Sequence, residues 1–218
     1  PDAIFADLSD KITITNWNNL KDRVETFRFA DGTELGTSSL ATGQGSINSD
    51  IFIGDALANI QQGLAGNDIL RGEAGDDTLI GGAGNDLLIG GEGNDTYVVG
   101  VNDGSNHVMN DQAIDNSDTV RFIDDVKHDQ LWFKQDGDDL IIDVVGGNTV
   151  VTLDDWYSNT EDQVDQIETS DGYVLTKNNV DQLVAAMATF DAPALDAQAL
   201  APDVEQNILP IITTSWQQ

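Results

Sequence analysis

The chain has 218 residues, 39 of them acidic against nine basic, a formal net charge of −30 and no cysteine. That balance argues against nucleic acid or an anionic membrane surface as partner, and it makes any compact state self-repelling until cations bind. With no thiol and only His107 and His128 as imidazoles, disulfide staples and soft-metal sites are disfavoured, and no apolar run is long enough to predict a transmembrane helix.

The chain starts at Pro1 with neither Met nor a signal-peptide pattern, so it reads as an excerpt from something longer. Residues 1–40 form a first flanking unit. Ile12 and Ile14 suggest a strand, Trp17 an aromatic plug, and Asp31-Gly32 a tight turn between two short strands. The same order returns at 149–175, where Trp156 aligns with Trp17, Val164 with Val24, Ile167 with Phe27, Asp171-Gly172 with Asp31-Gly32 and Leu175 with Leu35. Each copy is expected to cover an end of what lies between them. Such ends expose apolar side chains and unpaired strand edges. The first copy fits either the closing half of an upstream module or a cap laid along the central one.

A central segment, 45–122, carries a nine-residue period. From Gly63 to Val98 the units GLAGNDILR, GEAGDDTLI, GGAGNDLLI and GGEGNDTYV follow without a gap. Each has Gly first and fourth, Asp sixth and an apolar residue eighth. The Asp set is Asp68, Asp77, Asp86 and Asp95; the apolar set is Leu70, Leu79, Leu88 and Tyr97. After each Asp there is room for a strand of about three residues, whose side chains alternate between faces. One strand and one glycine turn per unit make a coil, and two units close a circuit. Turns on one side of the coil then lie eighteen residues apart, so Asp68 meets Asp86 and Asp77 meets Asp95. Stacked carboxylates repel unless a cation lies between them. Calcium takes six to eight oxygen ligands, and glycine turns can aim backbone carbonyls at it. At least two calcium ions are expected, with Asp50 as a weaker third position. The pattern frays upstream, where Asn59 stands in an Asp place, and downstream at Asn106 and Asp118.

A second flanking unit, 123–177, reads as strands around Leu131-Trp132-Phe133 and Leu140-Ile141-Ile142, then the Trp156 plug and the Asp171-Gly172 hairpin. A capping helix is expected at 178–190, with Val180, Leu183, Val184 and Met187 on one face. Residues 191–218 read as a linker rich in Ala, Asp and Pro followed by a short apolar tail.

The nonapeptide pattern, G-G-x-G-x-D-x-U-x, resembles the signature by which RTX calcium-binding repeats are defined, and four tandem copies in one register make the resemblance specific. The flanking units resemble the haemolysin-type calcium-binding related segment that accompanies such repeats in long secreted bacterial proteins. The resemblance implies an all-β fold: a parallel β-roll, that is a right-handed β-helix of nonapeptides, with flanking β-hairpin caps and one C-terminal capping helix. It also implies a ligand set in which two turns share each ion through their Asp side chains and backbone carbonyls. Here those carbonyls belong to Gly63, Ala65, Gly66, Gly72, Ala74, Gly75, Gly81, Gly82, Ala83, Gly84, Gly90, Gly91 and Gly93. Leu64 and Glu73 depart from the pattern by replacing its second glycine.

The function so implied is a calcium-dependent folding and stabilising module of a type I secreted protein, exported unfolded through the type I secretion machinery and folded by external calcium. Its location would be extracellular, secreted or at the bacterial cell surface. The alternative is a ligand- or carbohydrate-binding module of a calcium-dependent adhesin, with a surface glycan or protein as partner; an exposed group of Trp17, Trp132, Trp156 or Tyr157 would favour it. Catalysis is not expected of this chain: GxSxG, HExxH, P-loop and Cys-nucleophile patterns are all missing from the sequence.

Overall fold

The computed structural model describes residues 26–28, 34–36, 42–110, 117–194, 197 and 199–218. Trp17 and the strand expected at 12–14 lie outside the described residues. Two strands, β1 (Thr26–Arg28) and β2 (Glu34–Gly36), pair antiparallel with each other. The roll proper starts at β3 (Thr42–Gln44) and β4 (Ile51–Ile53). It continues through β5 (Ile60–Ala65), β6 (Ile69–Ala74), β7 (Thr78–Ala83), β8 (Leu87–Glu92), β9 (Thr96–Val99), β10 (Ser105–Met109) and β11 (Thr119–Phe122).

Alternate strands fall in alternate sheets. β3, β5, β7, β9 and β11 stack in parallel in one, and β4, β6, β8 and β10 in the other. This is a parallel β-roll. Its core is the eighth position of each unit: Leu70, Leu79, Leu88 and Tyr97 are all fully buried between the sheets. Strands β5 to β8 are six residues long, twice the length expected from the apolar stretch. The reason is that parallel pairing runs on into the glycine turns, as in Leu64↔Gly82 and Glu73↔Gly91.

The boundary expected at residue 122 is not where the roll stops. A hairpin of β12 (Leu131–Asp136) and β13 (Asp139–Val144) follows β11, preceded by a short 3-10 turn at His128–Gln130. Then β14 (Val150–Leu153) stacks in parallel on β10, and β15 (Gln166–Glu168) stacks in parallel on β11. The second flanking unit therefore adds one more coil, with the hairpin as an insertion that extends one sheet. β16 (Val174–Thr176) turns back antiparallel on β15 and ends the other sheet.

This end is sealed by apolar packing. Trp132, Phe133, Trp156, Val164, Ile167 and Leu175 join the core, and α1 (Lys177–Met187) lays Val180, Leu183 and Met187 on it. The linker and tail expected at 191–218 contain a second helix, α2 (Pro202–Ser215), which packs on α1 and buries Ile208 and Ile212. Pro202 sits in the first turn, where its missing N–H costs nothing, and apolar residues four apart supply the buried stripe. Beyond it Trp216 is buried, and Gln217 exchanges two backbone hydrogen bonds with Val174, of 2.8 and 2.9 Å. Among the described residues no helix is long and apolar enough to cross a membrane.

Candidate metal centre: two carboxylate columns

The glycine turns line up in two columns, one along each side of the roll. In the first, the Asp50 N–H donates to Asp68 Oδ1 at 2.7 Å, Asp68 N–H to Asp86 Oδ1 at 2.8 Å, and Asp86 N–H to Asn106 Oδ1 at 3.0 Å. In the second, the Asn59 N–H donates to Asp77 Oδ1 at 2.6 Å, Asp77 N–H to Asp95 Oδ1 at 2.9 Å, and Asp95 N–H to Asp118 Oδ1 at 2.8 Å. Each Asp thus binds the turn before it through one oxygen. The other oxygen is different. Oδ2 of Asp68, Asp77, Asp86, Asp95 and Asp118 is buried without a hydrogen-bond partner.

Buried, unpartnered carboxylate oxygens carry a large desolvation cost unless something cationic meets them. The titration behaviour follows. Burial pushes Asp77 and Asp86 up to about 6 and Asp95 up to about 7, against the pull of the backbone N–H each accepts and with neighbouring carboxylates adding to the rise. Burial also raises Asp68 and Asp118.

The backbone around these oxygens is shaped to be close. A Cβ on Gly63 would strike Asp68 Oδ2 and lie 2.5 Å from the Gly81 carbonyl oxygen; a Cβ on Gly72 would strike Asp77 Oδ2 and lie 2.6 Å from the Gly90 carbonyl oxygen. Gly81 and Gly90 stand in the same relation to Asp86 and Asp95. The second and fourth positions also stack: Gly82 and Gly84 lie over the carbonyls of Leu64 and Gly66, and Gly91 and Gly93 over those of Glu73 and Gly75. Of the third positions, Ala65 and Ala83 pair across the sheet and the Ala83 carbonyl accepts the Gly66 N–H at 2.9 Å, while Ala74 donates to the Asp55 carbonyl at 3.3 Å.

Among the described residues no group of three or more His, Cys, Asp or Glu side chains could hold a metal. These columns have a different composition, two carboxylates per pair of turns surrounded by carbonyl oxygens. That donor set is hard and all-oxygen, and it fits calcium rather than zinc or copper. The residues that would hold it are Asp68 with Asp86 and Asp77 with Asp95, together with the turn carbonyls. Bound calcium would supply the positive charge that the orphaned oxygens lack.

Asp50 lies at the open end of its column and differs from the rest. Its Oδ2 already accepts the Ser46 N–H at 2.8 Å and the Ser46 hydroxyl at 2.9 Å. The columns also end in distinct ways. The first runs out on the neutral Asn106. The second continues to Asp165, whose Oδ2 receives the Asp118 N–H at 3.3 Å, and Lys177 then meets Asp165 at 2.7 Å. A protein ammonium group stands where the carboxylate ladder stops.

Sequence reasoning missed a second ladder, made by the residue before each Asp. The Asn85 N–H donates to Asn67 Oδ1 at 3.0 Å and the Ser105 N–H to Asn85 Oδ1 at 3.0 Å, while the Asn94 N–H donates to Asp76 Oδ1 at 2.9 Å and the Ser117 N–H to Asn94 Oδ1 at 2.8 Å. The signal was present as Asn, Asp or Ser at the fifth place of the units.

The match of family models to this chain agrees with this geometry. The family described as RTX calcium-binding nonapeptide repeat (4 copies) matches residues 62–97. The family described as haemolysin-type calcium binding protein related domain matches 5–38 and 139–179. One similar solved structure is that of an extracellular lipase from Serratia marcescens, 28% identical, with a TM-score of 0.42 over 57% of this chain. The match spans 20% of that lipase chain. The chain thus carries RTX calcium-binding nonapeptide repeats in the roll and haemolysin-type calcium binding protein related segments on either side.

Proposed function

We propose that this chain is a calcium-dependent folding module of a secreted protein, disordered through its repeats where calcium is scarce and folded where calcium is abundant. The observation that carries the reading is the set of five buried, unpartnered Asp Oδ2 atoms in two columns. Without a cation they oppose the fold that buries them. With calcium, the free energy of binding becomes free energy of folding. The glycine-rich turns add to the bias, because they lose more backbone entropy on ordering than other residues do. Sites of micromolar affinity would stay empty in a cell interior and fill outside it. The chain would pass through a type I export machine unfolded and then fold at the cell surface or in the medium.

The burial of Trp132 and Trp156 supports a packing role for the flanking aromatic residues over a ligand platform. The division of labour we assign is therefore metal binding in the repeats and end-capping in the flanking units. Any enzymatic or adhesive activity would belong to other parts of a parent protein.

The test is hydrogen exchange and circular dichroism with millimolar calcium and with chelator. The expected result is protection across residues 63–98 in calcium and its loss in chelator. Equal protection in both conditions would make the roll a constitutive scaffold and end the export-coupling reading, even if calcium binds.

A further inference from the structure

The hairpin β1–β2 repeats the hairpin β15–β16 residue for residue. β1 and β2 pair as Thr26↔Gly36, Phe27↔Leu35 and Arg28↔Glu34. β15 and β16 pair as Gln166↔Thr176, Ile167↔Leu175 and Glu168↔Val174. Every one of the six positions is displaced by 140 along the chain. The related-domain family covers both hairpins, through its matches at 5–38 and 139–179.

The two hairpins differ in what lies on their other edge. β15 offers that edge to the roll and pairs in parallel with β11, as Thr119↔Gln166, Val120↔Ile167 and Arg121↔Glu168. β1 pairs only with β2 among the described residues. In a strand, each residue's N–H and C=O leave on the same edge, and successive residues alternate edges. Because β1 and β15 meet their partners in the same register, the backbone groups left on the outer edge of β1 correspond to those that β15 gives to β11. A two-stranded hairpin alone is at best marginally stable in water, and an open edge is a template for strand addition.

The kind of strand that would complete it can be specified. β15 is added beyond β11, at the finishing end of a climbing roll. This chain's own roll has one finishing end, and β15 already occupies it. Among the described residues what remains open is the starting end, at β3, which presents the opposite edge of its sheet. We propose that the Thr26–Arg28 edge is a docking edge for the last strand of a second nonapeptide roll. The docked strand lies parallel to β1. It has the polar–apolar–polar character of Thr119-Val120-Arg121, with the apolar residue at the register position of Phe27. The hairpin would close that second roll, and after residues 37–41 the chain would start the present one at β3. Two rolls joined this way form a rod with a short connection. This goes beyond the folding reading above and does not depend on it.

The experiment places a second copy of residues 42–144 ahead of the full chain, supplying every roll strand that precedes β14. Amide hydrogen exchange is then followed at Thr26–Arg28 in calcium, with bound calcium counted by native mass spectrometry. In the unextended chain those amides are expected to exchange fast; in the extended chain they should slow on the order of 100-fold, to match Gln166–Glu168. The calcium count should double. Three results would overturn the proposal. One is fast exchange at Thr26–Arg28 when the added roll has taken up its calcium. Another is failure of the added roll to take up calcium, since a hairpin that cannot complete a roll is not its cap. The third is protection already present in the unextended chain, which would assign the edge to β3 if independent of concentration, or to a second copy of the chain if dependent on it. Calcium uptake by the chain's own roll is read in the same spectra, and exchange at residues 63–98 in chelator tests the folding reading separately.

Discussion

The two ends of this molecule are held together by opposite means. In the turns at 63–68, 72–77, 81–86 and 90–95 the buried side chains are carboxylates, with one oxygen of each left without a partner. Around β12–β16 and the two helices the buried side chains are Trp132, Phe133, Trp156, Leu175, Leu183 and Ile212, and the charged residues near them are paired, as Lys134 with Asp143 and Lys177 with Asp165, each at 2.7 Å. Burial of apolar area stabilises the second region in any medium. The first region also buries Leu70, Leu79, Leu88 and Tyr97, but its orphaned carboxylate oxygens oppose burial unless a cation meets them. One continuous pair of sheets joins them, so the apolar capped end offers a surface against which the carboxylate-bearing coils stack.

The largest separation between the two regions is expected from truncating the plug. Trp156→Ala should cost about 3–5 kcal/mol, from lost burial and the cavity left behind. The loss should appear in chelator and in calcium alike when unfolding of the capped end is followed by intrinsic tryptophan fluorescence or hydrogen exchange. A loss confined to calcium-containing buffer would mean that the capped end is itself held by the metal, and the contrast would fail.

Within the columns, position should matter more than residue type. Asp86→Asn keeps the Oδ1 that accepts the Asp68 N–H but removes the charge from the middle of a column. It should weaken calcium binding at least about tenfold, the effect of roughly 1.4 kcal/mol per site. Asp50→Asn should change affinity several-fold less, because the Asp50 Oδ2 is already engaged by Ser46. Calorimetric titration of the two variants checks the order. Equal losses would show that Asp50 gives up its Ser46 contacts to bind metal as fully as Asp86 does.

The repeat chemistry was legible because its period is strict. An interval of eighteen residues carries Asp68 to Asp86 and Asp77 to Asp95, and the same interval sets the hydrogen bonds between them. The next steps were harder to read. Asp86 reaches Asn106 over 20 residues and Asp95 reaches Asp118 over 23, so the period is lost while the coil continues. The stacking of β14 and β15 on the roll was hidden by the inserted hairpin β12–β13. Helix α2 was masked by Pro202 and Pro210, which read as breakers although one sits in the first turn. Local pattern fixes which residues face inward; which distant strand they meet is settled by backbone pairing that spacing alone does not encode.

Acid should act on the metal-free and metal-bound roll in opposite directions. In the folded chain without metal, Asp77 and Asp86 are pushed up to about 6 and Asp95 up to about 7, from an ordinary 3.8. Between those limits the folded state holds protons that the unfolded state has released. Metal-free stability therefore rises as pH falls from about 7 towards 3.8, and is lost as pH climbs back through the folded values. With calcium the same protons compete for the ligating oxygens, so the calcium needed for half-saturation should increase over that range. Melting curves at pH 5 and pH 8, each with calcium and with chelator, read both signs. Acid destabilisation in chelator would contradict the burial of these carboxylates.

The smallest effect concerns the two turns that lack the second glycine. Leu64 and Glu73 adopt φ of 77° and 78°, the left-handed region, and their counterparts Gly82 and Gly91 hold φ of 86° and 103°. A side chain with a Cβ pays about 1–2 kcal/mol to stand there. Replacing it by glycine relieves that strain but gives back some of the gain through the greater freedom of the unfolded chain, roughly 0.5–1 kcal/mol. Leu64→Gly and Glu73→Gly should each raise stability in calcium by up to about 1 kcal/mol. Glu73→Gly should gain less, because it also removes the 2.6 Å contact between Arg71 and Glu73, an exposed pair of small worth. Leu64 is exposed, so its removal forfeits little burial. Chemical denaturation in saturating calcium measures both, and a loss of stability in Leu64→Gly would show that the turn is set by its neighbours at no cost in strain.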